Sequence, residues 1–191
     1  MNCAWISPVD QRERHFKRLL AHALDDPNSV PLAEILANWQ CGVGVLPEWL
    51  GLGEAEFDRL HQHFFGPVSS LRASPWQQQL DPRLDDLRQD LVTLLLRDAR
   101  DDTPAVRWIA ALIATACQGS NHLWEDLGVW SRASLSQLIS TNFPALAARN
   151  DRDMKWKKFL FKQLCVTEGI YICRAPSCDQ CSEYDDCFGP E

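Results

Sequence analysis

Apolar residues recur along this chain mainly at three- and four-residue spacing, the period of a helix that buries one face. No run alternates apolar and polar positions between turn signals, as a half-buried strand would. The pattern predicts an all-α fold, a single compact helical bundle with helices over residues 10–25, 31–39, 53–65, 81–99, 103–118, 132–149 and 153–168, the sixth open to a break before Pro144. Pro31, Pro82 and Pro104 stand where a first-turn proline loses no hydrogen bond, the last two behind Asp81 and Thr103 as caps. Between these runs, 41–53 is rich in glycine and contains Pro47, so it reads as a connection. Residues 66–80, with Gly66, Pro67, Pro75 and consecutive glutamines, read as a long loop.

Two of the helices carry more information than the others. From Thr103 to Gln118 nearly every face is apolar, with Val106, Trp108, Ile109, Leu112, Ile113 and Cys117, which marks the central helix of the bundle and makes Cys117 a core residue. From Asp153 to Glu168, Trp156, Leu160 and Leu164 form a buried stripe with Phe159 beside it, while Lys155, Lys158 and Lys162 share another face. Gly169 marks the end of that helix, and the apolar stretch 170–172 delivers the chain to Cys173. The chain thus divides into a helical body, 1–172, and a C-terminal segment, 173–191, within one domain.

That segment changes the picture. It holds Cys173, Cys178, Cys181 and Cys187 in a C-x4-C-x2-C-x5-C run. Two cysteines three apart turn their sulfurs toward one point, and the flanking spacers let the chain wrap two more around it, which suits an iron–sulfur cluster or a tetrahedral zinc. Structural zinc usually takes two short knuckles far apart in sequence. Four ligands within fifteen residues and only one C-x2-C favour a cluster. Paired disulfides are the bland alternative. The first eight residues show no secretory pattern and no run reaches the ~18–20 apolar residues of a membrane span, so the expected address is the reducing cytoplasm, where thiols stay free for metal.

The formal charge of −7 argues against nucleic acid as a partner, and nothing suggests a membrane. Residues 173–191 hold one base, Arg174, against five acids, Asp179, Glu183, Asp185, Asp186 and Glu191, so a cluster there would sit in a negative field that lowers its reduction potential.

Further candidates have open readings. Cys165 is an exchange ligand, a spare thiol or a buried helix cysteine; Cys3 lies near the terminus and Cys41 in a glycine-rich loop. His61 and His63, two apart, fall on different helix faces, and either imidazole suits a borderline metal or a surface role. His122 reads as a ligand, a proton carrier or a helix cap. Lys155, Lys158 and Lys162 read as solvated surface, as partners of the acidic tail, or as contacts to an oxyanion. No Ser/His/Asp or Cys/His arrangement assembles into a nucleophilic site, and the glycines at 42 and 44 lack a phosphate-cradling pattern, so ordinary catalysis is not indicated.

The block Met154-Lys-Trp-Lys-Lys-Phe-Leu-Phe-Lys-Gln-Leu-Cys165, the cysteine run that follows it and Phe188-Gly-Pro190 resemble the NifQ family of nitrogen-fixation proteins. His122-Leu-Trp-Glu-Asp-Leu-Gly128 and His63-Phe-Phe-Gly66 also look like family blocks, so the resemblance spans about 60–190. It implies a non-catalytic molybdenum carrier and donor for the iron–molybdenum cofactor of nitrogenase. In that role Cys173, Cys178, Cys181 and Cys187 would hold an iron–sulfur cluster (4Fe-4S, or three-iron with molybdenum). The implied partners are a molybdenum source such as molybdate and the cofactor-assembly machinery, namely the nitrogenase iron protein and the cofactor scaffold. Two rivals remain at this point. One is a helical DNA glycosylase-like protein, whose cluster loop has a C-x6-C first spacer; the other is a zinc-stapled interaction module.

Overall fold

The computed structural model describes residues 8–67, 79 and 81–168. Over these residues the chain forms α1 (Pro8–Leu20), α2 (Ser29–Gln40), α3 (Glu54–Phe65), α4 (Asp85–Arg97), α5 (Pro104–Ala116), α6 (Leu123–Leu127), α7 (Arg132–Asn142), α8 (Pro144–Ala148) and α9 (Trp156–Glu168). Short 3-10 turns at Glu48–Gly51 and Pro82–Leu84 precede α3 and α4. No strand occurs among the described residues, as the apolar period predicts.

Helix α5 is buried on almost every face, with only Pro104, Arg107 and Ala111 reaching solvent, and it packs against α3, α4 and α6. Cys117 at its end is fully buried. A second helix, α2, is enclosed as completely, which the sequence did not announce because Glu34 and Asn38 interrupt its apolar run. Both polar groups meet backbone: Glu34 Oε2 accepts from Trp130 N at 3.1 Å, and Asn38 Nδ2 donates to Gly128 O at 2.6 Å. Two asparagines 114 residues apart close the same side. Asn28 and Asn142, both fully buried, exchange amide hydrogen bonds at 3.0 and 2.6 Å and tie the start of α2 to the end of α7.

The expected helix over 132–149 is two helices. Phe143 is held at φ −132°, ψ 60° by the ring of Pro144, which disfavours helical backbone at the residue before it, and its fully buried side chain pins the corner. The first helix runs 8–20 rather than 10–25; residues 21–28 turn to bring α2 alongside, with Leu24 N donating to Phe64 O at 2.8 Å. Helix α6 falls in a stretch expected to connect α5 and the next helix. At 81–99 the chain enters through a 3-10 turn capped by Asp81, whose side chain accepts from Arg83 N at 3.0 Å. The connection at 41–53 holds Trp49 and Leu50 at φ 53° and 58°, a conformation offset by burying Leu50 completely. The expected loop at 66–80 lies almost wholly outside the described residues, as does the segment 169–191.

Candidate functional site

Helix α9 is the last described element before the cysteine run. Its apolar stripe is deeper than the sequence indicated: Trp156, Phe159, Leu160, Phe161 and Leu164 are all buried, and Trp156 Nε1 donates to Ser136 Oγ at 2.8 Å. Lys157 was not singled out by sequence reasoning, yet it is the residue that fixes the start of this helix. Its ammonium donates to Gly119 O at 2.9 Å, to Asn121 O at 2.7 Å and to the carboxylate of Asp126. The Asp126 side chain is 1 % exposed and that of Lys157 15 %. Asp126 also accepts from Asn121 N at 3.0 Å and from Asn121 Nδ2 at 3.2 Å.

Every donor of the ammonium is therefore used, and each carboxylate oxygen has a partner. A buried ion pair is tolerated under that condition. Gly119 must be glycine for the same reason: a Cβ there would stand 2.3 Å from the Asp126 carboxyl carbon. The signal available in sequence was the pair of acids flanked by apolar residues in Leu-Trp-Glu-Asp-Leu, and the lysine between Trp156 and Phe159 on one helix turn. Cys117 lies near this pair, and burial pushes its thiol up to about 12, so it is a protonated core residue.

His122 occupies the N-cap position of α6 with its ring exposed, and its backbone N–H donates to Glu125 Oε2 at 3.1 Å. It thus stands at a helix start, the position that one of its three readings names. His61 and His63 fall on different faces of α3, as their spacing requires. The His63 ring lies edge-on to Phe64 and Trp108, with Nε2 3.7 Å from Asp26 Oδ2. His61 is buried against Phe65; burial first, and Arg18 second, hold its pKa below the usual histidine value, and its Nε2 is buried without a hydrogen-bond partner. Cys165 is half-buried on α9. Lys155 is exposed, and Lys158 and Lys162 are partly so. Cys41 ends α2, its thiol raised by burial against the opposing charge of Arg12.

Among the described residues, no group of three or more His, Cys, Asp or Glu side chains converges where a metal ion could be held, so His63, His122 and Cys165 are not gathered into a donor set there. Cys173, Cys178, Cys181 and Cys187 lie outside the described residues, as does Cys3. No described helix is long and apolar enough to cross a membrane.

The family model of NifQ matches residues 31–189, a range that contains all four C-terminal cysteines. The chain is similar to Protein NifQ of Azotobacter vinelandii, 40 % identical over 178 residues covering 87 % of this chain and 91 % of that one. It is also similar to Protein NifQ of Rhodobacter capsulatus, at 39 % with 84 % and 87 % covered, and to Protein NifQ of Klebsiella pneumoniae, at 34 % with 78 % and 92 % covered. No solved structure matches the chain. A family match over 31–189 that runs through the cysteine segment, with relatives 34–40 % identical over most of their length, makes this chain a member of the NifQ family of nitrogen fixation.

Proposed function

We propose that this protein carries molybdenum for the assembly of the iron–molybdenum cofactor of nitrogenase. The observation that carries the reading is the run Cys173, Cys178, Cys181, Cys187 inside the stretch matched to the NifQ family. Four thiols within fifteen residues are a donor set fitted to an iron–sulfur cluster, and the described helices offer no competing one. When bound, such a cluster supplies sulfide that keeps molybdenum in the soft-ligand environment of the final cofactor.

The chain's own residues then have distinct tasks. The four thiolates anchor the cluster, the acidic side chains around them set its field, and α9, fixed by Lys157 and Asp126, is the rigid element from which the segment departs. The source is molybdate or another molybdenum donor, and the recipients are the nitrogenase iron protein and cofactor scaffold. The role is carriage rather than catalysis.

Elemental analysis of protein purified without oxygen tests this. Iron with molybdenum, a brown colour and absorption near 400 nm are expected, and Cys178→Ser should lose most of both metals. Zinc alone, or iron and molybdenum unchanged in Cys178→Ser, overturns the proposal.

A further inference from the structure

Bases are scarce in this chain, 19 lysines and arginines against 26 acids, and most described arginines are engaged by a carboxylate: Arg59 by Glu56, Arg88 by Asp85, Arg107 by Asp102, Arg132 by Asp153 and Arg149 by Asp98. Helix α1 departs from that pattern. It carries Arg12, Arg14, Lys17 and Arg18 against Asp10 and Glu13, and its exposed Arg14 and Arg18 enter no ion pair among the described residues. Glu13 is already taken by Lys17 at 2.9 Å. A cation in the last turn complements the helix dipole, which accounts for Lys17 and Arg18 but not for Arg14 in the middle of the helix. Spaced by four residues, Arg14 and Arg18 stand one turn apart on the same face, about 5–6 Å between their Cβ atoms. Their field is felt inside the bundle: after burial, Arg18 and then Arg14 hold the His15 pKa below the usual histidine value.

The opposite face of α1 is committed to the fold. Phe16 packs on Trp130 with ring centroids 4.3 Å apart, the Arg12 guanidinium lies 5.1 Å over the same indole, and Leu19 is fully buried. The helix is therefore a fixed support, with no apolar face left to enter a bilayer. A nucleic-acid duplex would meet few cations here on a body of net charge −7. A protein face with carboxylates at one-turn spacing needs only the two guanidinium forks, each of which matches a carboxylate in bidentate geometry.

We propose that the exposed face of α1 docks an acidic protein surface, with the Arg14 and Arg18 guanidiniums each taking a carboxylate and Lys17 at the rim. The face stands on its own residues; that the partner is a recipient of the metal rests on the function proposed above. The segment 173–191 is itself acidic, so it would be repelled by an acidic recipient, and α1 supplies the attraction of opposite sign. The stretch matched to the NifQ family begins at residue 31, so this contact lies outside it.

Biolayer interferometry of the full-length protein, purified without oxygen, against the nitrogenase iron protein and against the cofactor scaffold tests the face at low and at moderate ionic strength. Salt-sensitive binding to one of the two is expected, weakened about tenfold in the double variant Arg14→Gln with Arg18→Gln and restored in Arg14→Lys with Arg18→Lys. Arg83→Gln, which removes an exposed cation ahead of α4, should leave binding unchanged. Zero-length carbodiimide coupling of the lysine variant should join position 14 or 18 to an Asp or Glu of the recipient. Binding to neither protein, equal affinity of the glutamine variant, or cross-links confined to the lysines of α9 overturns the docking face, as does tighter retention on duplex DNA than on either recipient. Metal content reads the function separately: a glutamine variant that keeps iron and molybdenum but no longer binds supports the face, whereas a wild type that binds through Arg14 and Arg18 yet holds neither metal keeps the face and refutes the cargo.

Discussion

Replacing Lys157 by methionine keeps the aliphatic stem against α9 and removes only the charge. Asp126, 1 % exposed, then loses its counter-ion while keeping the two hydrogen bonds from Asn121, and the carbonyls of Gly119 and Asn121 lose their donor. Breaking a buried pair from one side costs about 3–5 kcal/mol. The bonds that survive at Asp126 place this case near ~3 kcal/mol, or roughly 6–12 °C in Tm for a chain of this length. Asp126→Asn should cost less, because the Lys157 side chain, 15 % exposed, can relax toward water. The double variant should be more stable than the sum of the single losses allows by about 1–3 kcal/mol. Urea unfolding of all four proteins, compared at equal metal loading, measures this. A Lys157→Met loss under about 1 kcal/mol, or strict additivity in the cycle, would refute the claim that this pair holds α9 in place.

Other outcomes follow from the same geometry. Gly119→Ala should destabilise by more than ~1 kcal/mol although alanine is ordinarily the better residue, because its Cβ would meet the Asp126 carboxylate; in an Asp126→Ala background most of that loss should vanish, and a stabilised single variant would count against it. Cys117, with its thiol raised to about 12, should resist iodoacetamide at pH 8 in the native protein and react after unfolding in urea, as mass spectrometry of the labelled peptides would report. Burial depresses His61 below its unfolded value of 6.5, so its contribution to stability is present above that pH and lost as pH falls through 6.5 toward the folded value. His61→Gln should flatten part of this decline in urea melts, part because burial also depresses His15; an unchanged slope would contradict the assignment.

How much of this was readable in advance depends on the kind of force involved. The helical class, the central place of α5, the core position of Cys117 and the buried stripe of α9 all follow from apolar period and density, which a linear sequence displays. Pro144 gave the break between α7 and α8 because a proline restricts its neighbour without help from the rest of the chain. Helix α6 escaped notice because a five-residue helix is too short to show a period; its existence depends on the fixing of Asp126 from a distance. The enclosure of α2 was hidden by Glu34 and Asn38, whose partners, Trp130 N and Gly128 O, lie about ninety residues downstream.

The amino-acid order by itself determined the family, and the metal-binding chemistry proposed for the tail is argued from the short spacing of its four cysteines alone. Tertiary structure alone decided which lysine of the Lys-Trp-Lys-Lys block matters to the fold and which face of α9 opens as a cleft. Lys155, Lys157, Lys158 and Lys162 are chemically alike in sequence. Only packing gives Lys157 three acceptors from another part of the chain and leaves Lys162 at the edge of a cleft, because burial converts an exposed charge into a partnered one at specific distances that no local pattern encodes.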